Sequence, residues 1–162
     1  MRVIGVTGGV GAGKSTVLGI MEEDFQAYVI QADQLGHILM EPGEECYESV
    51  IRLFGKDVIK NDKTIDRKQV SDVVFGNELM RQSLDAIIHP AVKTYILEEI
   101  RKQRQAGCRL LVIEAALLLE EKYDAFCDQV WYVHTDQEIR IERLMSSRGY
   151  TREKALSIIK RQ

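Results

Sequence analysis

A chain of 162 residues, 45% hydrophobic and 29% charged, is one domain's worth of ordinary globular protein, long enough to bury a substantial core. Its formal net charge of −3 argues against duplex nucleic acid or an anionic membrane as the main partner, since both reward a strongly basic face; a local positive pocket for a small anion remains open. Cys46, Cys108 and Cys127 form no CxxC pair and stand away from ligand spacing to His37, His89 and His134, so a zinc site or disulfide framework is not expected and a reducing cytoplasm is; no stretch reaches transmembrane length and no charged-then-apolar signal segment opens the chain.

"RVIGVT" at the amino terminus predicts a short buried strand, and beyond a glycine-rich loop Val17, Leu18 and Met21 mark one face of a helix. "AYVIQA" predicts a second strand, rich in aromatic and β-branched residues. From about Asp33 to Gly107 the pattern is helical. "CYESVIRLF" stops at Gly55, "KNDKTID" is a turn-rich link, and "RKQVSDVVF" is a further short helix. The long tract "ELMRQSLDAIIHPAVKTYILEEIRKQRQ" follows, and Pro90 within it predicts a break or kink near His89. "RLLVIEA" is an unbroken apolar run of strand length, suited to a strand covered on both faces, and "QVWYVHT" reads as another such strand. The remaining residues predict two helices joined at Ser146–Gly149, with Thr151 capping the second.

This alternation of strand and helix predicts an α/β fold with a parallel sheet wrapped by helices, the helical stretch between strands two and three being an insertion. Ligands of such sheets bind beyond the carboxyl ends of the strands. Three features are expected at that edge: the glycine loop after strand one, Asp33 after strand two and Glu114 after strand three.

The loop itself, Gly8-x-x-x-x-Gly13-Lys14-Ser15, matches the phosphate-binding pattern. Backbone N–H groups must converge on phosphate oxygens, which demands dihedrals and close approach that side chains obstruct, so each small residue is expected to leave room for an oxygen. Gly11, Ala12, Gly13, Lys14, Ser15 and Thr16 are the expected contacts to the phosphates of a nucleotide, with Lys14 bridging the β- and γ-phosphates and Ser15 ligating magnesium. A GTPase is disfavoured: "DQLG" imitates one of its elements, but no guanine-reading NKxD follows a later strand. A small-molecule kinase also needs a carboxylate near the γ-phosphate and cations that close over it. Asp33 and Glu114 are the candidate carboxylates, though Asp33 can instead cap the next helix and Glu114 can pair with a structural cation. Arg140, Arg143, Arg148 and Arg152 make the segment after strand four a candidate lid; interleaved Glu138 and Glu142 suit a solvated face, the reading favoured for each of these arginines except Arg143.

Read together, these words resemble the dephospho-coenzyme A kinase family. "VIGVTGGVGAGKSTV" is similar to its opening, "VIQADQLGH" with "EPG" to its second-strand signature, and "LFGKDVI" with "DRKQVSDVVF" to its middle helices. "IIHP", "VIEAALLLE" and "RLMSSRGYTREKALSIIKRQ" continue the likeness in order. Three positions depart from the pattern: Gln31 stands where the first aspartate of a D-A-D triplet is common, Ala116 replaces a frequent proline, and a lid arginine falls at Ser147 with Arg148 displaced by one. Family members usually continue beyond the position of Gln162, so the chain reads as shortened at that end.

The resemblance implies a three-layer P-loop fold of nucleotide-kinase type with a helical insert and a lid. Residues 1–34 and 107–136 would form the nucleotide-binding core, 35–106 the acceptor-binding insert, and 137–162 an incomplete lid and following helix. It implies transfer of the ATP γ-phosphate to the ribose 3′-hydroxyl of dephospho-CoA, another small-metabolite or nucleotide kinase being the alternative. Lys14, Asp33, Arg143 and Arg140 would be the catalytic residues. Asp33, Arg67, Phe75 and His89 would bind the acceptor, and Ser15, with Asp33 through water, would hold magnesium. The expected partners are ATP and dephospho-CoA, with neither nucleic acid nor membrane, in a cytoplasmic monomer or weak homo-oligomer.

Overall fold

A computed structural model describes residues 1–160 and divides into two compact units. The first holds residues 1–31 and the chain from Lys102 onward; the second holds Ala32–Arg101.

The first unit is built on a four-stranded parallel sheet ordered β2-β3-β1-β4: β1 (Arg2–Thr7), β2 (Tyr28–Gln31), β3 (Leu110–Glu114) and β4 (Gln129–Tyr132). β1 and β3 are the inner strands, and residues 3–6 and 110–113 within them are continuous apolar runs because an inner parallel strand has no wet face. Leu111, Val112 and Ile113 are 0% exposed. Helix α1 (Lys14–Glu23) turns Leu18 and Met21 onto Ile4, Val6 and Val112, with Val17, Ala27 and Val29 closing the margin. Truncating the centre of this arrangement, Ile113→Ala, is expected to cost about 2–5 kcal/mol of unfolding free energy, read as a lower urea midpoint at unchanged slope.

β4 departs from expectation. Among the described residues it is an edge strand paired only with β1, and Val130, Trp131 and Tyr132 are 39, 44 and 65% exposed. An apolar run specifies a strand but does not say how many neighbours cover it, so strands three and four looked alike although only β3 is buried on both faces.

Two further helices, α6 (Gln137–Arg148) and α7 (Arg152–Lys160), complete the unit. Gly149 ends α6 at φ 62°, and Thr151 Oγ1 accepts from Lys154 N–H at 3.2 Å to open α7, as predicted. Ile141, Leu144, Ala155 and Ile159 form the seam between the two helices. The last two residues of the predicted final helix, Arg161 and Gln162, lie outside the described residues.

The second unit contains α2 (Ala32–Ile38), α3 (Tyr47–Phe54), α4 (Arg67–Phe75) and nearly all of α5 (Glu78–Gln105). Asp66 caps α4, its carboxylate accepting from Lys68 and Gln69 N–H at 3.0 and 3.2 Å. α5 runs through Pro90 without the predicted break. Proline removes one helical hydrogen bond, but Ala91, Val92, Ile96 and Ile100 beyond it are all buried, and that apolar face outweighs the local loss.

Candidate active site

The register of the sheet sets the site. Val6, Glu114 and Gln31 are partners across β1, β3 and β2, so the chain leaves three adjacent strands at one edge. A cavity of about 550 Å3 opens there, lined by the glycine loop, Lys14, Ser15, Thr16, Gln31, Glu114, Arg143, Ser147 and Arg148. All of these residues belong to the first unit.

The loop needs glycine at positions of unusual backbone. Gly8 has φ 148°, and a Cβ there would sit 2.4 Å from the Val133 carbonyl oxygen. Gly8→Ala is therefore expected to destabilise the fold by about 2–4 kcal/mol, seen as a lower melting temperature without nucleotide. The space spared at Gly9 is likewise taken by protein: a Cβ would fall 2.2 Å from Arg140 Nη2. This corrects the expectation that every small residue makes room for phosphate; Gly8 and Gly9 make room for the segment following β4.

Gly13, at φ 100°, is the N-cap of α1 and supplies no side-chain cap. The leading amides of α1, together with the positive end of the helix, are thus presented to an anion. Lys14, the first residue of α1, folds its ammonium back across the loop to donate to the Gly8 carbonyl at 2.8 Å. It also lies 3.6 Å from Glu114 Oε1, with the Glu114 side chain only 8% exposed. Glu114 is therefore an ion-pair partner of the loop lysine. Ser15 and Thr16 follow, exposed at the cavity. The lining donors are hydroxyl and carboxylate oxygens with neither sulfur nor imidazole, a set that suits a hard divalent cation such as magnesium.

The arginines of α6 and α7 divide. Arg143 lines the cavity and its Nη1 donates to the Gly11 and Ala12 carbonyls at 3.2 Å each. Arg140 Nε donates to the Val10 carbonyl at 2.9 Å. Arg148 and Ser147 also line the cavity, whereas Arg152 is paired with Glu138 at 2.7 Å. Thr135 escaped the sequence reading: its hydroxyl donates to the Ala12 carbonyl at 2.7 Å. Its only sequence signal was its place just beyond a strand end, where such sheets gather their ligand residues.

Asp33, Arg67, Phe75 and His89 all lie in the second unit. Asp33 is exposed in the first turn of α2, two residues along the chain from Gln31. Arg67 and Phe75 are the first and last residues of α4, about 12 Å apart along its axis. Phe75 is 85% exposed, an unusual position for a large aromatic ring. His89 Nε2 stands 3.7 Å from Asp85 Oδ1 on the same helix face.

A parallel α/β sheet with this loop between its first strand and first helix, and a lysine and serine at the head of that helix, defines the P-loop nucleotide-binding proteins. The comparisons narrow the class. The sequence model of the family described as "Dephospho-CoA kinase" matches residues 2–162. The dephospho-CoA kinase of Carboxydothermus hydrogenoformans is 36% identical over 162 residues, covering 100% of this chain and 78% of its own. That of Corynebacterium diphtheriae is 37% identical over 162 residues, covering 100% and 80%. A crystal structure from Thermus thermophilus superimposes with a TM-score of 0.82 at 27% identity, over 99% of this chain and 80% of that one. The chain belongs to the dephospho-CoA kinase family, and is accordingly an ATP-dependent phosphotransferase. Among the described residues no helix is long and apolar enough to cross a membrane.

Proposed function

We propose that the chain transfers the γ-phosphate of ATP to the ribose 3′-hydroxyl of dephospho-CoA, giving CoA and ADP. The observation that carries this reading is the Lys14 ammonium, held by Gly8 and Glu114 at the mouth of α1 in a chain that matches the family from residue 2 to 162. The amides from Gly11 to Thr16 receive the phosphate oxygens, and Lys14 moves from the Gly8 carbonyl onto the β- and γ-phosphates. Asp33 takes the proton of the attacking hydroxyl as its oxygen forms the new bond to phosphorus, and the bond from the γ-phosphorus to the ADP oxygen breaks. Arg143 steadies the phosphoryl group in transit.

Ser15 would hold magnesium, with Asp33 through water, and the bound ion would draw charge from the phosphate oxygens. Arg67, Phe75 and His89 contact the acceptor; the exposed ring of Phe75 offers it an apolar surface. Cys46, Cys108 and Cys127 are free thiols, and burial followed by the charges of Asp124 and Asp128 pushes the Cys127 thiol up to about 11. That state suits the cytoplasm, where we place the enzyme as a monomer or weak homo-oligomer.

The test is ADP release measured with ATP, magnesium and either dephospho-CoA or a panel of nucleosides and nucleotides. Release that depends on dephospho-CoA and yields the 3′-phosphorylated product is expected. Turnover on the panel alone would assign a different acceptor.

A further inference from the structure

The glycine loop is fastened to α6 at several points, and one of them is made by Arg140, which the family resemblance sets beside Arg143 among the catalytic residues. Arg140 Nε donates to the Val10 carbonyl at 2.9 Å. Its guanidinium occupies the space a Gly9 side chain would need, 2.2 Å from Nη2 and 2.6 Å from Cζ. Its own carbonyl oxygen lies 3.1 Å from where a Gly11 Cβ would stand. Val10 meanwhile packs its side chain against the seam formed by Ile141, Leu144, Ala155 and Ile159. Arg143 lines the cavity; Arg140 does not.

The Val10–Gly11 peptide is planar and trans, so its N–H points opposite to its carbonyl. A guanidinium holding the Val10 oxygen therefore turns the Gly11 N–H away from itself, and Gly11 borders the cavity. The same bond polarises that peptide, making its N–H a stronger donor.

We infer that Arg140 is a positioning residue: it sets the phosphate loop in its anion-binding conformation from behind, and does not touch the transferring phosphoryl group. The inference rests on the proposed binding of nucleotide phosphates in the loop. A residue that shapes the loop acts equally on bound substrate and transition state, so its loss weakens nucleotide affinity and spares turnover at saturation. A cation on the transferring group does the reverse.

The experiment compares Arg140→Ala, Gly9→Ala and the double variant with the wild-type chain. ADP affinity is measured by calorimetry with magnesium, kcat at saturating ATP, and melting temperature without nucleotide. Arg140→Ala is expected to weaken ADP binding about tenfold or more, the worth of one charge-assisted hydrogen bond, with kcat within about threefold. Gly9→Ala, whose methyl displaces the guanidinium from the other side, is expected to weaken ADP binding similarly. It should add under about twofold in the Arg140→Ala background, because the clash is then gone. Should Arg140→Ala fail to fold, Gly9→Ala with its own affinity and kcat still decides. Intact affinity in the variants, a loss confined to kcat, or additive losses in the double variant overturns the inference while the function reading stands. A wild-type chain that binds no ADP removes both.

Discussion

Lys14→Ala is expected to lower kcat/KM for phosphorylation of dephospho-CoA about a thousandfold or more, a loss of roughly 4 kcal/mol of transition-state stabilisation. Charge spreads over the transferring phosphoryl group as its bond to ADP breaks, and a fixed cation in a poorly hydrated pocket stabilises that charge strongly. Lys14 meets the condition: its side chain is only 17% exposed and its ammonium already rests within the loop, 2.8 Å from the Gly8 carbonyl. A coupled ADP-release assay reads the effect, and a variant retaining more than about a tenth of wild-type kcat/KM rules out the assigned role. The same substitution leaves the buried Glu114 carboxylate without its lysine, so the melting temperature should fall as well. Adding Glu114→Gln should recover the melting temperature and not the turnover. That outcome separates the structural share of the ion pair from the catalytic share of the ammonium.

Asp33→Asn is expected to lower kcat by about a hundredfold to a thousandfold while leaving ATP affinity within about threefold. The amide keeps the size of the carboxylate but cannot take the proton of the acceptor hydroxyl. Asp33 is exposed in the first turn of α2, so the exchange is expected to leave the packing of the fold unchanged. Calorimetry with ATP, set beside steady-state turnover, gives both quantities. Equal losses in affinity and in kcat would contradict the role of base and assign Asp33 to nucleotide binding.

Much of the site was legible because phosphate binding is a local demand. A loop that turns its amides onto an anion needs glycines, a lysine and a helix start within a few residues, and all of these occupy consecutive positions from Gly8 to Ser15. The inner strands were legible for a related reason: a parallel strand without a wet face reads as an unbroken apolar run, as residues 3–6 of β1 and 110–113 of β3 do. The thread of chain from Thr151 to Lys154 announced its own cap. The partners of these features were not legible. Nothing near Gly9 in the chain names Arg140, some 130 positions away, and nothing near Glu114 names Lys14.

The sequence by itself determined the order of elements, the phosphate loop, and the kind of chemistry that loop can serve, since each depends on residues adjacent in the chain. Tertiary structure alone decided that β4 lies at the edge of the described sheet, that α5 passes through Pro90, that Glu114 holds the loop lysine, and that two arginines of α6 grip the loop's carbonyls. Those outcomes depend on which surfaces meet after folding, and burial or pairing between distant segments leaves no pattern in either segment read alone.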